Sequence, residues 1–152
     1  MERKMVNSVL VLLCLGQAAV AGDQLFSGSC ASIAFSANEI RLPRVSPYGW
    51  CKVDAVLDCH FSASCPYQVN VSFDGFVGQD GAMIGEENAA FIIDGVSVPV
   101  GRRSVPWLIS KEATPRGGIS MPVKLGFHFR DLSRHAGGSY AGEITFTVFG
   151  SG

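Results

Sequence analysis

The sequence predicts an all-β protein, an antiparallel β-sandwich of about seven or eight short strands. Apolar and polar residues alternate with a period of two in several segments, and turn signals separate these segments every 8–12 residues or so. No segment keeps a 3.6-residue apolar period over three turns, so no helix is expected. The 152 residues, 47% hydrophobic and 16% charged, fit one domain and exclude a disordered polyelectrolyte.

Two predicted strands in the middle of the chain follow each other closely. One face of residues 53–61 is apolar and the other is polar, with Asp54, Asp58 and His60 on the polar side. Tyr67–Phe73 repeats the alternation. The apolar residues of the first strand are Val53, Ala55, Leu57, Cys59 and Phe61.

The second half of the chain predicts a hairpin and three further strands. Asp94 and Gly95 suit a two-residue hairpin turn between strands at residues 89–93 and 96–100, because both turn positions need a positive φ. Pro106 predicts an edge position for the short strand Val105–Ile109. The clearest alternation is in the last two strands, residues 119–129 and 140–148.

Residues 1–21 have the pattern of a cleavable export signal. Arg3 and Lys4 precede an apolar run over residues 6–15, and Ala19 and Ala21 supply the small residues of a cleavage site before Gly22. The run is too short to span a bilayer, which takes about 20 residues. We therefore predict cleavage between Ala21 and Gly22, a domain over residues 22–152, and no membrane span after cleavage.

Cleavage makes the cysteine count even. Cys14 leaves with the signal, and four cysteines remain in an exported chain, which predicts two disulfides. Three connectivities are possible, and we favour Cys30–Cys51 with Cys59–Cys65. A metal site is not expected, since there is no Cys-x-x-Cys pair.

No residues assemble into a predicted active site. The sequence lacks a Gly-x-Ser-x-Gly elbow, a phosphate loop and a His-Glu-x-x-His motif, so we expect no enzyme and no cofactor. His60 and His128 fall on the polar sides of strands, where surface positions are the ordinary interpretation. The basic residues Arg130, Arg134 and His135 are interpreted as solvated. The net charge of −1 at pH 7 gives no reason to expect nucleic acid as a partner.

The C-terminal strand contains the functional signal. Gly138 lies fourteen residues before the end and is followed by Tyr140, Gly142 and alternating apolar residues. This resembles the subunits of chaperone–usher fimbriae, or pilin-like proteins, whose terminal strands commonly consist of a Gly-x-Tyr-x-Gly element and alternating hydrophobics. The export signal, the small β-rich domain and an early disulfide agree with that family.

The resemblance implies an immunoglobulin-like sandwich that lacks its last strand. In that family a periplasmic chaperone covers the open groove, an outer-membrane usher receives the subunit, and a neighbouring pilus subunit supplies the missing strand by β-augmentation. It implies a protein exported through the periplasm to a fimbrium on the bacterial surface. The residues that it places around the groove are Ile33, Phe35, Gly138, Tyr140, Ile144, Phe146 and Val148.

The N-terminal region departs from the family pattern. Only residues 22–29 precede Cys30, and Leu25 and Phe26 are adjacent rather than alternating. Either residues 22–35 combine donor and first strand, or the chain has no donor strand. We favour a minor or tip subunit, a class that includes adhesins and invasins and would bind a host-surface receptor.

Two alternatives stay open. The first is a secreted β-sandwich that binds a partner without polymerising and completes its own C-terminal strand. The second is sugar binding, in which Tyr48, Trp50 and Trp107 would stack on a sugar ring. Such aromatic residues are more often found buried or at sheet edges.

Overall fold

The computed structural model of the full chain describes residues 2–15, 30–37, 39–43, 45–78, 81–135 and 138–151. Within these ranges the chain forms eleven strands and no helix. The strands are β1 (Glu2–Leu15), β2 (Ala31–Phe35), β3 (Glu39–Arg41), β4 (Trp50–Ala63), β5 (Tyr67–Gly78), β6 (Met83–Ile84), β7 (Ala89–Ile93), β8 (Val96–Val98), β9 (Gly101–Ser110), β10 (Ile119–Arg130) and β11 (Gly138–Ser151).

The strands form two sheets around one core. The first sheet has the order β3-β1-β11-β5, and both β6 and β9 pair with the other edge of β5. The second sheet has the order β2-β4-β10-β7-β8. Neighbouring strands are antiparallel except for β1 and β3, which run parallel. The predicted all-β sandwich is therefore confirmed.

The alternation that predicted the strands also predicted their faces. In β4, Val53 and Leu57 are buried whereas Asp54, Asp58 and His60 are exposed. In β10 and β11 the apolar members of the alternation are buried too, apart from the exposed Ile119 and the half-buried Met121 at the start of β10. A strand places successive side chains on opposite faces, so the half-buried pattern determines which residues enter the core.

The predicted turn and edge are also found. Asp94 and Gly95 join β7 to β8 with φ values of 45° and 79°, and Asp94 Oδ1 accepts a hydrogen bond of 2.9 Å from the backbone N–H of Lys124. Strand β8 ends at Val98, two residues earlier than expected. Among the described residues β9, which contains Pro106, pairs with β5 alone, as an edge strand with a proline should.

Phenylalanines fill the space between the sheets. Phe73 of β5 lies 5.2 Å from Phe91 and 5.8 Å from Phe127, measured between ring centroids, and Phe76 continues the cluster towards Phe129. These rings come from both sheets and are fully buried. Tilted and edge-to-face ring contacts of this kind add to the free energy gained from burial.

Sequence patterns did not indicate three strands. β3 and β6 have three and two residues, too few for a periodic signal. β1 is the segment predicted to be an export signal, and in the uncleaved chain it is a strand of the first sheet rather than a segment outside the fold. Its cleavage stays a prediction. The described residues contain no helix long and apolar enough to cross a membrane.

Candidate functional site

The inward face of β11 is buried along the strand. Tyr140 is 2% exposed, and Ile144, Phe146 and Val148 are not exposed at all. Gly142 occupies the same face at an irregularity in the pairing between β11 and β5. A Cβ atom there would lie 2.6 Å from the carbonyl oxygen of Gly75, so only glycine fits. β11 therefore presents a continuous apolar wall to the core.

Strand β2 forms the opposite wall. Phe35 lies 4.6 Å from Phe146 between ring centroids, and Trp107 contacts Phe146 from another direction at 5.7 Å. Ile33 is fully buried two residues before Phe35. The predicted groove residues on β2 and β11 thus belong to one packed region, in which Phe146 is central. Gly138 differs, because it is exposed at the start of β11.

The edge of β11 that faces away from β5 is covered by β1. The register pairs all fourteen residues of β1 with β11, from Glu2 opposite Ser151 to Leu15 opposite Gly138. The register sets Val9 opposite the buried Ile144. On its other side β1 meets β3, where Leu10 and Val11 pair with Glu39 and Ile40. We call the place that β1 occupies between β11 and β3 the β11 groove.

Without β1 the first sheet would have a gap one strand wide. When β1 is removed, β3 and β11 each lose a neighbouring strand. For β11 the loss extends along the whole edge that faces away from β5. Unpaired N–H and C=O groups on a long sheet edge bind another extended chain readily. An edge of this kind can pair with an extended segment of chain.

The disulfide pairing differs from the expected one. The structure joins Cys30 to Cys65 with Cα atoms 5.7 Å apart, and leaves Cys51 and Cys59 as thiols. The favoured pairs Cys30–Cys51 and Cys59–Cys65 are wrong because strand register separates their members. β4 places Cys59 opposite Phe35 and Cys51 opposite Phe129, far from the turn that holds Cys65. Disulfide formation needs Cα atoms within about 7 Å.

The disulfide lies against the end of β11. A Cβ atom on Gly150 would come within 2.7 Å of the Cys30 sulfur and 3.1 Å of the Cys65 sulfur, which explains why glycine stands there. The bond fastens the start of β2 to the turn between β4 and β5. Through its contact with Gly150 the disulfide also packs against the C-terminal end of β11.

The two thiols differ in their surroundings. Cys59 is buried. Desolvation, and to a smaller extent the negative charge of Asp94, raises the pKa of its thiol to about 12. A thiol with that pKa stays protonated and unreactive at neutral pH. Cys51 is half-buried near the start of β4.

The remaining polar candidates do not converge. His60 lies on the surface, with Nδ1 2.9 Å from Ser120 Oγ, and the half-buried His135 has Nε2 3.4 Å from Asn88 Oδ1. His128 is half-buried rather than fully exposed. Within the described residues no three His, Cys, Asp or Glu side chains are placed to hold a metal ion.

Two of the three candidate sugar-stacking aromatics are exposed. Tyr48 and Trp50 are each 75% exposed, whereas Trp107 is 8% exposed and belongs to the core. The guanidinium of Arg130 lies over the Trp50 ring, 5.1 Å from its centroid, so this basic residue is engaged by an aromatic ring. The exposed pair stands at the start of β4, on the other sheet from the β11 groove.

Comparison with known proteins returns no matching family model, no matching curated protein and no matching solved structure.

Proposed function

We propose that this protein is an exported subunit of a surface fimbria, with an immunoglobulin-like sandwich that another chain's strand completes. One observation supports this above the others. The strand that covers β11 is residues 2–15, and the sequence pattern of that segment is the pattern of an export signal. If export removes it, the β11 groove opens.

The strand order supports the immunoglobulin-like assignment. Constant-type immunoglobulin domains have strands A, B, E and D in one sheet and C, F and G in the other. Here β2-β4-β10-β7 follows the order A-B-E-D, and β5-β11-β1 follows C-F-G. In this correspondence β1 takes the position of strand G. A chain without β1 would be a sandwich that lacks its last strand.

An open β11 groove accounts for the proposed partners. Apolar side chains and unpaired backbone groups along β11 favour aggregation unless an extended segment binds there. A periplasmic chaperone would bind first, and a strand from a neighbouring subunit would replace it at the usher. In either complex an incoming strand takes the position that β1 occupies beside β11.

The place of the subunit in the fibre is a separate proposal. Residues 22–29, which would belong to any donor strand, lie outside the described residues. The adjacent Leu25 and Phe26 support a chain that accepts a strand without giving one. We therefore propose a minor or tip subunit, and a host-surface receptor as its partner on the fibre.

Cutting the chain between β1 and β2 tests the proposed groove. A protease site is introduced into the full chain within residues 16–29, and a labelled peptide of residues 2–15 is added before and after cleavage. We expect the cut protein to exchange its own β1 for the labelled peptide, and the uncut protein to take up none. A peptide with Val9 and Val11 replaced by aspartate is the control and should not bind.

If cleavage releases residues 2–15 and the remaining domain stays monomeric, melts as before and binds no peptide, β11 needs no added strand. Phe146 is a poor position for this test, because its contacts with Phe35 and Trp107 make any substitution there a core defect.

The second candidate is the secreted sandwich that does not polymerise. The observation in its favour is that β1, when retained, completes the first sheet within the chain. Mass spectrometry of the exported product separates the two proposals. A product that retains residues 2–15 supports the self-completed sandwich. A product that begins at Gly22 removes the observation in favour of that candidate, and uptake of the residue 2–15 peptide then supports the fimbrial subunit.

A further inference from the structure

The second sheet has an edge that is only partly covered. Strand β2 pairs with β4 from Cys59 to Ala63 and stops there, with one more hydrogen bond of 2.8 Å from the Ser36 N–H to the Asp58 carbonyl. Among the described residues, positions 50–57 of β4 pair with β10 alone. We call positions 50–57 the open β4 edge.

Two other sheet edges in the described part of the chain are protected in ways that the open β4 edge is not. β8 has only three residues, and β9 contains Pro106 and two irregularities in its pairing with β5. Short strands, prolines and bulges are the devices that prevent edge-to-edge association. The open β4 edge lacks proline, and its register with β10 is continuous.

The residues along this edge alternate in a self-complementary order. The Asp58 carbonyl points towards β2, so every second residue before it directs its backbone N–H and C=O to the same side. These residues are Trp50, Lys52, Asp54 and Val56, all exposed on the outer face. Trp50 and Val56 are 75% and 61% exposed and are among the most exposed large apolar side chains described.

We propose that two copies of this chain associate by pairing their open β4 edges antiparallel about a twofold axis at Val53. In this register Trp50 lies opposite the partner's Val56, and Lys52 lies opposite the partner's Asp54. Each apolar side chain then covers another, and each charge meets its opposite. Because the interface is isologous, every such pair occurs twice.

The charges select this register over its neighbours. A shift of two residues in one direction sets Lys52 opposite the partner's Lys52, and a shift in the other direction sets Asp54 opposite the partner's Asp54. Like charges directly opposite each other destabilise an antiparallel pair. Arg130 already covers one side of the Trp50 ring, and the partner's Val56 would cover a further part of it.

The pairing uses surfaces apart from the β11 groove. β4 belongs to the second sheet and β11 to the first, so the two kinds of association can be disturbed separately. Sedimentation of the full chain, with β1 in place, over a concentration series measures the β4 association alone. Its failure would leave the proposed function untouched, and the reverse also holds.

Charge reversal on β4 is the decisive experiment. Lys52→Asp sets two aspartates opposite each other, and Asp54→Lys sets two lysines opposite each other. The dissociation constant of the dimer should therefore rise about tenfold or more in each variant. An equimolar mixture of the two variants restores both opposite-charge pairs and should form a heterodimer. The double variant Lys52→Asp with Asp54→Lys should recover the homodimer.

The controls carry equal charge changes elsewhere. Lys111→Asp and Asp74→Lys alter exposed residues away from the open β4 edge and should leave the dimer unchanged. Because Trp107 is buried, concentration-dependent protection from acrylamide quenching reports on Trp50. The proposal is overturned if the wild-type chain is monomeric throughout, if charge reversal has no effect, or if the mixture fails to pair.

Discussion

β4 and β11 are both long strands beside the same core, but the edge of β11 differs from the edge of the first half of β4. β11 is paired on both sides along almost its whole length, and its inward face is buried. Among the described residues, positions 50–57 of β4 pair with β10 alone, and Trp50 and Val56 are exposed on the outer face. In our proposals an added strand completes the first sheet at β11, whereas pairing at the open β4 edge joins two chains whose sheets are already formed.

The largest expected difference between the two strands is in side-chain truncation. Phe146→Ala removes contacts with Phe35 and Trp107 and should lower the free energy of unfolding by about 3–5 kcal/mol. Val56→Ala removes a side chain that is 61% exposed and should change it by less than about 0.5 kcal/mol. Denaturant unfolding of both variants measures the contrast, and equal losses would contradict it.

The cysteines provide the second comparison. Cys65→Ser removes the bond that closes a loop of 35 residues beside Gly150 of β11, and should lower the free energy of unfolding by about 2–4 kcal/mol. Cys51→Ser, on β4, breaks no disulfide and should lower it by less than about 1 kcal/mol. A loss for Cys51→Ser as large as that for Cys65→Ser would contradict the assignment of Cys51 as a free thiol with a minor role in packing.

Glycines in the two regions should respond differently to replacement by alanine. Gly142→Ala on β11 brings a Cβ within 2.6 Å of the Gly75 carbonyl and should cost about 1–3 kcal/mol. Gly126 of β10 lies opposite Asp54 of β4, and a Cβ there meets no atom closer than 3.6 Å. Gly126→Ala should be neutral or stabilise by about 0.5 kcal/mol. A destabilising Gly126→Ala would contradict the room for a Cβ atom at this position.

The smallest effect concerns thiol reactivity. In a Cys14→Ser background, an alkylating reagent at neutral pH should modify Cys51 and leave Cys59 unmodified. The raised pKa of Cys59, about 12, keeps its thiol protonated, and its thiolate forms only as the pH approaches that value. Peptide mapping measures both sites. Modification of Cys59 in the folded protein at rates equal to Cys51 would contradict its burial.

Local sequence patterns predicted the strands but not the features that distinguish the two edges. Period-two alternation identified β4, β5, β10 and β11, and the Asp94-Gly95 pair identified the hairpin, because both signals reside in neighbouring residues. The disulfide was mispredicted since the approach of Cys30 to Cys65 depends on the register of β2 against β4. Register is set by pairing between distant segments.

The covering of β11 was not predictable for a different reason. The pattern of residues 1–21 predicts an export signal, and the apolar run within residues 2–15 does not show that this segment also forms a strand. The groove residues Ile33, Phe35, Ile144, Phe146 and Val148 came from a family resemblance, and the structure brings Phe35 and Phe146 into contact. Which strand pairs with the edge of β11 depends on a tertiary pairing that no local pattern encodes.

The central claim is that the sandwich needs an added strand at β11, and the melting temperature of residues 22–152 tests it most directly. The domain is measured alone and with a saturating peptide of residues 2–15. We predict that it aggregates or melts early when alone, and that the melting temperature rises with peptide concentration, because the peptide binds only the folded state. Cooperative melting of a monomer at one temperature, with or without the peptide, would contradict the claim.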